Sequence, residues 1–77
     1  MRLRRSPHLA SDVRVDDDRL VVTLTDGREL AGPLEWFPRL RDAPPAHRGK
    51  WRLIGGGRGI RWDELDEDIS VEGLFHP

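Results

Sequence analysis

The residues best placed to do chemistry are six carboxylates within one ten-residue stretch: Asp63, Glu64, Asp66, Glu67, Asp68 and Glu72. Carboxylates at this density could hold a hard cation, cap a short helical turn or offer bidentate pairs to arginines of a partner. The spacing is not that of an EF-hand loop, so capping with solvation and a partner surface are the simpler readings. A glycine run, Gly55-Gly56-Gly57-Arg58-Gly59, precedes them. Successive backbone N–H groups can form an anion-binding nest, but the run has no Gly-Lys-Ser/Thr ending and no G-x-G-x-x-G spacing. A plain glycine turn is the simpler expectation.

Other chemistry is sparse. His8, His47 and His76 are scattered, and Ser6, Ser11 and Ser70 sit in no nucleophile motif. Cysteine and tyrosine are absent, which removes disulfides, thiolate nucleophiles and cysteine-zinc sites. No catalytic residue, metal ligand or cofactor-binding residue is expected. Trp36, Trp51 and Trp62, with Phe37 and Phe75, read as core and near-core packing, with one tryptophan available to a partner.

The chain of 77 residues has a net charge of −1, unevenly spread. Positions 1–61 carry all 13 basic residues against 8 acidic ones, and positions 62–77 carry 6 acidic residues and no Lys or Arg. Twelve of the basic residues are Arg, whose planar fork suits interfaces. The length allows one small domain. At this size a core supplies only about 3–5 kcal/mol of net stability, so a partner that covers apolar surface would add to it. No apolar run approaches a membrane span or a signal peptide, and a cytoplasmic location is expected.

The elements that must position these groups follow from periodicity. Residues 1–10 read as a loosely ordered lead-in, and 11–77 as the domain. Val13 and Val15 alternate with polar residues, as in a half-buried strand, and Asp16-Asp17-Asp18 supplies a turn. Leu20 to Thr25 is rich in β-branched residues and fairly apolar on both faces, which suits a central strand. Asp26-Gly27 predicts a type I′ hairpin, and a return strand runs from Arg28 until Pro33 limits it. Residues 12–34 thus form a three-stranded antiparallel meander. Trp36, Phe37, Leu40 and Ala43 fall at helical spacing, stopped by Pro44-Pro45; a further turn at 45–50 is weakly suggested. Trp51 to Ile54 and Ile60 to Trp62 read as strands around the glycine turn. The tail from Leu65 to Phe75 reads as an acidic turn, then a short extended or one-turn helical segment. The class is α+β: a small antiparallel sheet, the meander plus one or two C-terminal strands, with one short helix.

Four segments, Val21 to Arg28, Leu34 to Leu40, Trp51 to Trp62 and Leu65 to Leu74, resemble a bacterial family catalogued as domain of unknown function 2442. The most specific part is the closing Gly-Ile-x-Trp-x-x-Leu-Asp-Glu-Asp-Ile-Ser-Val-Glu-Gly-Leu, from Gly59 to Leu74. The resemblance implies a small α+β domain. It also implies an antitoxin-like member of a proposed two-gene module, with a small toxin-like protein as partner. Some members carry a further helix-turn-helix domain, which residues 1–77 do not suggest.

The expected function is a non-enzymatic interaction domain. It would bind a small, basic protein partner through Trp62, Asp66, Glu67, Asp68, Glu72, Leu74 and Phe75. The alternatives are nucleic-acid binding through Arg2, Arg4, Arg5 and Arg58 with nearby aromatics, and a homodimeric structural subunit.

Overall fold

The computed structural model describes residues 8–75; Arg2, Arg4, Arg5 and most of the expected lead-in lie outside them. Strands β1 (Ala10–Val15), β2 (Arg19–Leu24) and β3 (Glu29–Pro33) form the antiparallel meander in the order β1-β2-β3. Asp16 closes the first turn, its Oδ1 accepting the N–H groups of Asp18 (2.8 Å) and Arg19 (2.7 Å). Those bonds favour the ionised carboxylate and lower its pKa.

The second turn differs from the type I′ expectation. Asp26 does not have a positive φ; Gly27 does, at +92°. Gly27 N–H donates to Leu24 O (2.9 Å), and Leu24 N–H donates to Arg28 O (2.7 Å). The loop is therefore three residues long, with its glycine in the bulge position. Asp26 instead uses its carboxylate to accept from the Arg28 N–H (3.0 Å).

Prolines set the middle of the chain. Pro33 ends β3, and a 3₁₀ turn, Leu34–Trp36, follows. Helix α1 (Pro38–Arg41) starts with proline at its first position, where the missing N–H costs nothing. Pro44, extended at ψ 144°, interrupts the helical path before α2 (Pro45–Arg48). One helix was expected here, and two of four residues each are found, because a proline forces its predecessor out of the helical region. Arg48 ties them together. Its guanidinium donates to the carbonyls of Leu40 (2.9 Å) and Arg41 (2.7 Å), which end α1.

The C-terminal half builds its own sheet. Strands β4 (Arg52–Ile54), β5 (Gly59–Trp62) and β6 (Glu67–Ser70) pair antiparallel in that order, and helix α3 (Val71–Phe75) follows. The fold class is α+β as expected, but the C-terminal strands number three and stand apart from the meander. Even-numbered residues of β2 face the second sheet: Leu20, Val22 and Leu24 join Ile60, Trp62, Ile69 and Val71 in one core. Val21 is buried on the other face, so β2 is apolar on both sides as its sequence implied.

The glycine run joins the sheets. Gly55, Gly56 and Gly57 all have positive φ, and a β-carbon on Gly57 would stand 2.8 Å from Ala10 O. Glycine is needed there both for the backbone conformation and for the close approach of β1.

Candidate functional site

An open groove of about 570 Å³ runs beside β6. One wall is Trp36 and Phe37, from the turn that leads into α1. These rings can lie low because β3 has Gly32 beneath them: a β-carbon there would stand 3.1 Å from Trp36 Cε3 and 3.4 Å from Phe37 Cε2. Gly73 and Leu74 of α3 form the end, and all four residues of β6 form the other side. Trp36 is 51% exposed, the large hydrophobic residue most open to solvent among the described residues. Ser70 Oγ accepts the Gly73 N–H at 2.9 Å and so caps the one-turn helix.

The strand alternation of β6 divides its side chains. Glu67 and Ile69 sit opposite Trp62 and Ile60 of β5, on the inner face, while Asp68 and Ser70 sit opposite Arg61 and Gly59 on the outer face. The outer face carries a charge network. Arg61 donates to Asp63 (2.8 Å), Asp68 (2.8 Å) and Asp66 (3.0 Å). Asp63 also accepts two bonds from Arg52, at 2.7 and 3.1 Å. Arg52 and Arg61 face each other across β4 and β5; such a like-charge pair is unfavourable, and the carboxylate shared between them offsets it. The hydrogen bonds from Arg52 and then Arg61 hold the Asp63 pKa down at about 2. Hydrogen bonds to Asp68, then Asp66 and Asp63, raise that of Arg61. Arg39 of α1 donates to the carbonyls of Leu65 (3.3 Å) and Asp66 (2.7 Å), fixing the turn where Asp66 takes a φ of +50°. Glu64 meets His47 (3.1 Å) and Lys50 (3.4 Å).

The acidic stretch is therefore largely compensated from within. A run of six carboxylates with no Lys or Arg within or after it looks like a free negative patch. Arg61, just before the run, folds over three of them, and tertiary structure adds Arg52 and Lys50. Glu67 is the exception that lines the groove: its carboxylate has no ion-pair or hydrogen-bond partner among the described residues. No three His, Asp or Glu side chains converge as a metal site among those residues.

The expected partner-binding residues separate accordingly. Glu67, Asp68 and Leu74 line the groove, and Asp66 and Glu72 are exposed beyond it. Phe75 is half-buried, its ring 4.5 Å from that of His8. Trp62 is a correction: it is fully buried and its indole N–H donates to Arg48 O at 3.0 Å, so it presents no surface to a partner. Trp36 is the tryptophan most open to solvent among the described residues. The signal was there in sequence: Trp62 shares a strand face with Ile60, whereas Trp36 stands between strand and helix beside Pro38. Of the alternative basic set, Arg58 is exposed and does not line the groove.

A model of the family described as "Protein of unknown function (DUF2442)" matches residues 10–77. The chain belongs to this family. The groove, from Trp36 to Leu74, falls wholly within the DUF2442 match. A solved structure, a protein of unknown function from Rhodospirillum rubrum ATCC 11170, is similar at 29% identity with a TM-score of 0.79. The match covers 91% of this chain and 87% of that one, so the two-sheet architecture extends to that protein. No curated protein matches the chain. Among the described residues, no helix is long and apolar enough to cross a membrane.

Proposed function

We propose that this chain is a non-enzymatic binding domain whose groove receives a basic segment of a partner protein bearing an apolar side chain. The observation that carries the reading is the pairing, in one groove, of a half-exposed Trp36 with a Glu67 that lacks a counter-charge among the described residues. Aromatic surface of this kind supplies affinity when a partner desolvates it. A complementary charge steers approach and selects the partner. The groove offers little reactive chemistry: the Ser70 hydroxyl is engaged with the Gly73 N–H, and neither His8 nor His47 lines it. The family resemblance adds an antitoxin-like role, with a small toxin-like protein encoded nearby as the partner.

The test is calorimetry of the purified domain with the product of the adjoining gene, or with a partner isolated from the native host and then purified. Trp36→Ala should weaken binding about tenfold or more. Glu67→Gln should weaken it several-fold and flatten its salt dependence. Asp68→Asn should do less, because Asp68 is already held by Arg61. Affinity unchanged by both Trp36→Ala and Glu67→Gln would remove the groove from the interface.

A further inference from the structure

We infer that β6 is a strand-addition edge: an extended partner segment pairs antiparallel with Glu67–Ser70 inside the groove, setting an apolar side chain opposite Ile69 and a basic one opposite Glu67. The inference rests on the groove being the binding site and adds how it reads its partner. Side chains of a strand alternate between faces, so a groove over one face of β6 would be lined by every second residue. This groove is lined by four consecutive ones. It therefore follows the open backbone edge of β6, the side away from β5. Along such an edge alternate residues direct both N–H and C=O outward. A partner strand supplies main-chain hydrogen bonds there, and alternate side chains give specificity.

The other strand edges are less suited. β1 has a register shift between Ala10 and Asp12, and such bulges turn an edge away from pairing. β3 ends in Pro33, and β4 is three residues long. The charge of β6 selects the occupant. Glu67 lacks a counter-charge among the described residues, and Ile69 two positions on is apolar. The incoming strand thus carries an apolar residue and, two positions later, Arg or Lys. A second copy of this chain is disfavoured, because pairing β6 with itself brings the carboxylates of both copies onto one seam.

The probe is the blocked peptide Ac-Thr-Val-Thr-Arg-Thr-NH₂ at millimolar concentration, followed by amide chemical shifts of the whole domain. It should shift the amides of Glu67–Ser70 and the Trp36 indole. Two N-methylated versions separate the modes, one modified at Val and Arg and the other at the central Thr. Only alternate N–H groups of an added strand face the edge. One version should therefore bind about tenfold more weakly and the other within about twofold of the parent. Glu67→Gln should weaken the parent roughly two- to fivefold. If both methylated peptides bind as well as the parent, or both are lost, strand addition is wrong and the groove reading stands. If no peptide shifts the groove, both readings fall. Concentration-dependent shifts of β6 in the free protein would assign the edge to a second copy and overturn the inference.

Discussion

A β-carbon placed on Gly32 would stand 3.1 Å from the ring of Trp36. This closeness defines the groove wall, since the bare backbone of β3 lets the indole settle without being buried. Gly32→Ala should displace the Trp36 ring by a few tenths of an ångström. Because that ring is half exposed, stability should change by about 1 kcal/mol or less. The check is the Trp36 indole N–H resonance, which should move while those of Trp51 and Trp62 hold still.

Trp62 and Trp36 should respond oppositely to replacement. Trp62→Phe leaves the Arg48 carbonyl without its donor and opens space in the core, costing about 2–4 kcal/mol. Trp36→Ala should cost about 1 kcal/mol or less. Urea denaturation of the two variants measures both. A larger loss at Trp36 would contradict the assignment of core and surface.

Gly57 and Gly56 also part company. Gly56 has a φ of +69° and open space around it, whereas Gly57 has a φ of +102° and the Ala10 carbonyl in the way. Gly56→Ala should cost about 1–2 kcal/mol. Gly57→Ala should cost about 3 kcal/mol or more, the backbone strain adding to the clash. Thermal unfolding of the pair tests whether the glycine run joins the sheets or is merely a turn.

The carboxyl of Asp63 titrates at about 2 in the folded chain, against an ordinary value of 3.8. Its pKa is lowered on folding, so its contribution is complete above 3.8. As pH falls from there the unfolded chain takes up the proton first, and the contribution is lost through about 2. The side chain is exposed, so added salt should weaken the effect. Carbon-detected titration of the Asp63 carboxyl gives the value directly. Asp63→Asn should flatten the acid limb of the stability curve, unmasking repulsion between Arg52 and Arg61.

Much of the fold was written in local pattern. The alternation from Val13 to Leu24, the Asp16-Asp17-Asp18 turn and the apolar residues on both sides of β2 depend on neighbours within a few positions. Pro33 likewise marks where a strand must end, Pro44 where the helical path breaks, and Pro38 and Pro45 where short helices start. Those features fixed an α+β chain with a meander and short helical turns. Nearby residues could not settle the type of the hairpin at Gly27, because Asp-Gly serves both the two-residue and the three-residue loop.

The site was legible only in part. Its carboxylates and Leu74 stand out in the sequence, and so does the absence of basic residues after Arg61. Which carboxylate among the described residues is left without a counter-charge depends on Arg52 and Arg61, 2 to 11 positions from the groups they hold and brought near by strand register. The sequence sets Trp62 on a strand face with Ile60 and Trp36 between strand and helix, but how completely each is covered depends on the stacking of the two sheets. Local chemistry sets the backbone's choices over a few residues, but charge balance and exposure belong to the whole surface, and they are decided only when distant segments close against one another.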